Sequence, residues 1–496
     1  MASNDVAAQL MTINIDLETL GIRADDQVYS GAAYSNHNGL ERSSQTFLDI
    51  RGTQNKNPEE LEGYIRDMHS SSYFGEKQYE RGSLNGWAKA VADGQTSGMN
   101  EYVSSILDMH KNNGGQGSIL LAQNLQFENR ALSNAYLTGQ VGQPFTELIG
   151  NISNRSNLNP NSFLEASGIS QLNWERYSII NDAIKPAFTT GDKEGLETAL
   201  GAYREKSFDI IGNYNASMEK AQATNTMAVV DLMDYSKAVY AHGAAQGKID
   251  PRMLLYGNKV DYQAKVLLGE DEAHEALSDA KHQDRLFKIL SNEVSQMQTH
   301  GSSYDSPIVT KLAASFEAEG VLEKQLKSGA TNFIREYLDK NPSADVSVED
   351  IKTGALKHFD YKNRFLIESG TTEGFNFTDF REELNNTLEE MYAKNKDVAL
   401  DRESFLYDLE DTLANQKHTV KESTKILPDM PKFNKSTALK VGGAGAALFA
   451  ASMMFGGDKE EQKRVKYNTY DELYNNQYYG SGFADWQNRN NSHKMM

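Results

Sequence analysis

Apolar and polar residues alternate from Met11 to Leu17, MTINIDL, the period-two pattern of a short half-buried strand. Beyond it Gly31, Ser35, Asn36, Asn38, Gly39, Gly52, Asn55 and Asn57 punctuate a polar stretch, so residues 1–57 read as an extended N-terminal arm carrying one short strand. Helical spacing then takes over. Asn57-Pro58-Glu59-Glu60 supplies a capping side chain, a first-turn proline and a glutamate three residues after the cap, ahead of Leu61, Tyr64, Ile65 and Met68. Further runs with helical periodicity cover residues 101–112, 118–137, 171–188, 194–240, 271–298, 307–327 and 332–340. Leu277, Leu286, Leu290 and Val294 recur at helical intervals within the 271–298 run. Ser306 before Pro307, Ser347 before Glu349-Asp350 and Asp401 before Glu403 mark helix starts. Leu384, Leu388, Met391 and Tyr392, followed by Phe405, Leu406, Leu409 and Leu413, predict an antiparallel helical pair turning near residues 395–397.

The expectation is a mainly α protein with an elongated multi-helix body, divided into an arm (1–57), a helical lobe (58–155) and an acidic helical body (156–427). A basic hinge (428–440), an apolar Gly/Ala helix (441–457) and an aromatic tail (458–496) complete it. With 496 residues the chain can bury a sizeable core without staples, and it has no cysteine, which excludes disulfides and thiolate chemistry. The net charge is −19, yet residues 417–440 hold six lysines against Glu422 and Asp429. Residues 1–416 therefore carry more than the whole excess of negative charge, which opposes binding to a phosphate backbone and makes nucleic acid an unfavourable direct ligand. The first twenty residues lack the basic and apolar segments of a secretory signal, so synthesis in the host cytoplasm is expected.

Residues 441–457, VGGAGAALFAASMMFGG, carry no charge. As a helix they span roughly 25 Å against about 30 Å of hydrocarbon, slightly short of a crossing. Leu448, Phe449, Met453 and Phe455 supply apolar area. Gly442 with Ala446, Gly443 with Ala447, and Ala447 with Ala451 have the small-residue spacing that lets helix backbones approach. Transient contact with a host membrane and burial in a protein assembly are both compatible with this content. The tail carries Tyr467, Tyr470, Tyr474, Tyr478, Tyr479, Phe483 and Trp486, a density of rigid aromatics suited to docking on a partner.

The ending YNTYDELYNNQYYGSGFADWQNRNNSHKMM resembles the C-termini of tailed-bacteriophage virion proteins, through a core of Tyr479, Gly480, Phe483, Ala484, Trp486 and Arg489. The resemblance covers about sixty residues. It implies a virion or virion-assembly component; with the aromatic tail and the sparse catalytic motifs, the expected function is a non-enzymatic virion structural or DNA-ejection-associated protein, present in multiple copies and attached by Tyr470, Tyr474, Tyr478, Tyr479, Phe483, Trp486 and Arg489 to portal, tail or capsid-interior components. A virion-associated cell-wall hydrolase and a tail-anchored cellular membrane protein are the alternatives.

Catalytic motifs are sparse. Asn258-Lys259-Val260-Asp261 has the form of a guanine-recognition motif, but no phosphate-binding GxxxxGK[ST] loop accompanies it. Glu368-Ser369 is the one candidate for a glycosidase acid, and Ser217 with Lys220 forms an unsupported SxxK. His274 and His282, with Asp279 between them, are the best metal candidates, but two helical turns separate the histidines. They cannot share one ion unless another segment supplies ligands. No catalytic residue, metal ligand or cofactor is assigned on sequence grounds.

Overall fold

The computed structural model describes residues 9–19, 28–49, 83–152, 169–256, 260–270 and 275–319, most of 346–360 and 375–394, and scattered positions within 327–338, 371–372 and 405–413. The N-terminal helix start at Asn57-Pro58, His274, the Asn258 motif, Glu368, the hinge, the apolar segment and the whole aromatic tail lie outside the described residues.

Helices dominate the described chain, and a five-stranded mixed sheet organises them. The strands are β1 (Met11–Thr19), β2 (Val28–His37), β3 (Leu40–Phe47), β4 (Ser118–Ala122) and β5 (Met227–Asp231), in the order β3-β2-β1-β4-β5. The first three form an antiparallel meander, while β4 runs parallel to β1 and β5 parallel to β4. The strand expected at Met11–Leu17 is therefore present, and the arm expected around it is replaced by two further strands. The reason is local: Asn38 and Gly39 both adopt positive φ, 53° and 78°, between the paired residues His37 and Leu40. Asn-Gly is the pair that a two-residue hairpin of this hand requires.

Two of the expected helices contain strands. SILLA of β4 and MAVVD of β5 sit inside the runs 118–137 and 194–240, and each is buried along its full length. A parallel strand covered on both faces has no alternation and cannot be told from a buried helical turn by periodicity. Helices flank them: α1 (Ser83–Ala92), α2 (Met99–Lys111), α3 (Leu125–Leu137), α4 (Gln143–Asn151), α5 (Ser170–Ile179), α6 (Lys193–Thr224), α7 (Leu232–Ala245), α8 (Ala276–His300), α9 (Pro307–Glu319) and α10 (Phe377–Lys394). Ser306 and Ser347 cap where the sequence puts them, and Asp401 lies outside the described residues. Ser306 Oγ accepts from Val309 N at 3.0 Å, and Ser347 forms a reciprocal capping box with Asp350.

Each face of the sheet has its own core. Ile13, Ile15 and Leu17 of β1, with Leu120 and Val229, pack against Tyr102, Val103 and Ile106 of α2 and Leu125 and Leu132 of α3. On the other face Ile119, Leu121, Ala228 and Val230 meet Tyr214 of α6, Tyr235 and Val239 of α7, and Leu286, Phe287 and Leu290 of α8. Because side chains alternate along a strand, β1 turns Thr12, Asn14, Asp16 and Glu18 toward this second face. There α8 packs against β1 and β2. A polar strip is thus enclosed between a strand and a helix.

Candidate metal centre

That strip ends in an acidic cluster. Asp16 and Glu18 at the carboxyl end of β1 meet Asp279 in the first turn of α8, and one carboxylate oxygen from each lies within 4.8 Å of the others. The carboxyl ends of parallel strands, where open sheets bind their ligands, are occupied here by β1, β4 and β5 together. Glu18 is 7% and Asp279 3% exposed, and Asp16 is half-buried.

The helix is fixed on the strand by hydrogen bonds that set the register of the cluster. Asn14 Nδ2 donates to Asp284 Oδ1 at 3.2 Å and to the Tyr34 carbonyl at 3.3 Å. Gln283 Nε2 donates to Asp16 Oδ1 at 2.9 Å, holding that carboxylate toward α8. Lys288 Nζ reaches Asp284 Oδ2 at 2.6 Å and the Asn36 carbonyl at 3.3 Å, tying the helix to the β2–β3 hairpin. Asp279 Oδ1 itself has no hydrogen-bond donor. A buried acceptor left without a donor costs free energy on the order of 1–3 kcal/mol unless a cation or proton meets it.

Three buried carboxyls near this end of the sheet have raised pKa values. Burial, then the charges of Asp279 and Glu275, push the Glu18 carboxyl from 4.5 up to about 8. Burial raises Glu128 of α3 well above the carboxylate range, and Asp231 and Glu18 add to the rise. Asp231, at the end of β5, is pushed up to about 7 by burial and by Asp234, although three backbone amides donate to it: Asn124 N at 3.1 Å, Leu125 N at 3.2 Å and Met233 N at 2.9 Å. Those bonds make Asp231 the N-cap of α7 and the clamp on the β4–α3 turn, where Asn124 adopts φ 58°. The contrast with Asp234 is informative. Burial acts against that carboxylate too, but Arg176, Lys237 and the Tyr214 hydroxyl outweigh it, and its pKa is lowered. Asp234 pairs with Arg176 and accepts from Tyr214 Oη at 2.7 Å, a structural ion pair that ties the first turn of α7 to α5. At Glu18 the acting charges are themselves acidic.

His282 flanks the cluster from one turn further along α8. Its Nδ1 is 3.8 Å from Asp279 Oδ1 and its Nε2 is 3.0 Å from Glu270 Oε2. Asp279 is the first cause of its raised pKa, burial opposes, and Glu270 adds. Arg285 Nη1 holds Glu270 at 2.6 Å, so a cationic and an anionic residue brace the imidazole from outside the cluster. Of the sequence candidates, His282 and Asp279 therefore adjoin the cluster, to which β1 contributes Asp16 and Glu18, and His274 lies outside the described residues. Ser217 donates to the Asn213 carbonyl at 2.9 Å, one turn back on α6, as a solvated helix-face serine does.

The donors are all carboxylate oxygens, the set preferred by Mg²⁺, Mn²⁺ and Ca²⁺ rather than by thiolate-seeking metals. Asp16 and Glu18 escaped the sequence reading because an acidic i, i+2 pair on a strand is unremarkable until a helix closes over it. Among the described residues no helix is long and apolar enough to cross a membrane. No family model, no curated protein and no solved structure matches this chain.

Proposed function

We propose that the chain is a divalent-cation-dependent enzyme that hydrolyses phosphate esters at Asp16, Glu18 and Asp279. The carrying observation is the convergence of three carboxylates, two of them deeply buried, at the carboxyl ends of parallel strands. Mg²⁺ and Mn²⁺ held by a few carboxylates keep open positions for water and for substrate phosphate oxygens, and a bound cation supplies the Lewis acid that makes water a nucleophile near neutral pH. Gln283 orients Asp16 by its 2.9 Å bond. Glu18, pushed up to about 8 by burial and by Asp279 and Glu275, would give up its proton to a bound cation, so binding would tighten as pH rises toward that value. The test is release of nitrophenol from bis(p-nitrophenyl) phosphate by the full chain with Mn²⁺. Activity lost with EDTA and in Asp279→Asn supports the reading; turnover equal in wild type and Asp279→Asn contradicts it.

A second reading concerns location and is carried by the tail motif Tyr479, Gly480, Phe483, Ala484, Trp486 and Arg489. On it the chain is a phage virion component, docked by its aromatic tail to portal, tail or capsid-interior proteins, and the catalytic domain travels with the particle. Mass spectrometry of purified particles tests it, and absence of the chain from them counts against it.

A further inference from the structure

One serine of the sheet is buried beside the carboxylates with nothing to bond. Ser30 of β2 is 1% exposed, and its Oγ has no hydrogen-bond partner among the described residues. A hydroxyl taken out of water without a partner costs free energy, and the large majority of buried hydroxyls find one. Further along the same face of the same strand, Ala32 fills its position fully buried and without that cost. Packing alone therefore does not account for a hydroxyl at residue 30.

The register of the sheet identifies what Ser30 faces. β2 pairs antiparallel with β1 so that Ser30 lies directly opposite Glu18, Ala32 opposite Asp16 and Tyr34 opposite Asn14. Directly opposed residues stand on one face of a sheet, with Cβ atoms about 5 Å apart. That face is the one α8 covers: Lys281 Nζ of α8 lies 5.6 Å from the centre of the Tyr34 ring, and Asn14 is bonded to Asp284 of the same helix. The alternate residues of β2 go the other way, Ala33 into the core with Tyr102 of α2, and Gly31 to where a Cβ would meet the Tyr102 ring. Ser30, Asp16 and Glu18 therefore share one side of the sheet with Asp279, whose Oδ1 also lacks a donor.

We infer that Ser30 Oγ is a fourth protein ligand of the cation held by Asp16, Glu18 and Asp279, a neutral oxygen supplied by β2. This rests on the metal-centre reading above and deepens it. The cation supplies the partner that the hydroxyl oxygen lacks. Ligands then come from three elements, β1, β2 and α8, so the ion fastens the helix to the antiparallel meander. A hydroxyl adds an oxygen without adding another negative charge to a buried site where like charges already oppose one another. Mg²⁺ demands a near-octahedral shell of oxygens, and four protein ligands giving one oxygen each leave two positions for water and a substrate phosphate oxygen.

Titration calorimetry of the full chain with Mn²⁺ alone gives the first readout. Ser30→Ala should bind Mn²⁺ about tenfold more weakly than the wild type. Its thermal midpoint in EDTA should match or exceed the wild-type value, because an unpartnered buried hydroxyl has gone. Mn²⁺ bound by the wild type, lost in Asp279→Asn and unchanged in Ser30→Ala overturns the Ser30 ligand and leaves the three-carboxylate centre intact. No Mn²⁺ binding by the wild type overturns both. Cadmium gives the second readout. The chain has no cysteine, so Ser30→Cys carries its sole thiol at this position, and Cd²⁺ bound through sulfur shows a thiolate charge-transfer band in the ultraviolet. The expected result is that band in Ser30→Cys, none in the wild type, and a weaker Cd²⁺ affinity when Asp279→Asn is added. Cd²⁺ bound by Ser30→Cys without the band, or with an affinity indifferent to Asp279→Asn, overturns the inference. Should Ser30→Ala fail to fold, the closely isosteric Ser30→Cys still answers.

Discussion

Glu18→Gln isolates the physical origin of the metal centre. In the cation-free chain Glu18 has its pKa raised from 4.5 to about 8 by burial and by Asp279 and Glu275. The folded state thus holds a proton that the unfolded state has already lost. Stability from this group is complete below the unfolded value and is lost as pH rises through the folded one. The slope is about 1.4 kcal/mol per pH unit across that window. Over the whole interval the upper bound is about 5 kcal/mol, and local relaxation with water entry brings the observable loss to roughly 2–3 kcal/mol. Glutamine keeps the shape and removes the titration. Urea denaturation between pH 5 and pH 8 in EDTA should therefore show the wild type losing stability relative to the variant, with the variant the more stable by roughly 2–3 kcal/mol at pH 8. Adding Mn²⁺ should reverse the order, since a ligand at about 1,000 times its Kd adds about 4.1 kcal/mol to the form that binds it. Parallel pH profiles for the two proteins, with or without Mn²⁺, would refute the reasoning.

Other consequences follow from separate parts of the structure. Asp231→Ala removes the acceptor for three backbone amides and should cost about 3 kcal/mol in urea unfolding, with Asp231→Asn costing less; a loss under about 0.5 kcal/mol would show that the clamp is dispensable. Gly39→Ala forces a side chain onto φ 78° in the β2–β3 turn and should lower stability by about 1–2 kcal/mol, and an unchanged midpoint would exclude that turn geometry. Gln283→Leu removes the donor to Asp16 and should weaken Mn²⁺ binding about tenfold, the upper effect expected from an orienting partner being about a hundredfold; unaltered affinity would detach Gln283 from the site. Replacing Tyr478, Phe483 and Trp486 together by alanine should abolish incorporation into particles with the folded body unchanged by circular dichroism, and normal incorporation would end the docking proposal.

The sequence carried the helical frame further than it carried the site. Amphipathic spacing in the 271–298 run located α8, and Leu286, Leu290 and Val294 are buried as that spacing requires. Period two found β1, but it left β2 and β3 unread: their polar, serine-rich composition hid strands whose clearest signal was the Asn38-Gly39 turn. β4 and β5 disappeared into neighbouring helices because five-residue runs buried on both faces carry no period. The centre depends on all of these at once. Asp16 and its orienting Gln283 are 267 positions apart, and no local pattern announces their pairing. Asp279 and His282 were visible as a polar pair on one helix, but the strand that completes them had first to be seen as part of a sheet. The docking residues of the tail and the packing residues of the apolar segment lie outside the described structure, and they rest on composition and resemblance.

The most direct measurement is the anomalous difference map of crystals of the full chain soaked in Mn²⁺. The account predicts a peak with oxygens of Asp16, Glu18 and Asp279 each about 2.0–2.6 Å away. A map with Mn²⁺ bound elsewhere and no peak between these three carboxylates contradicts it.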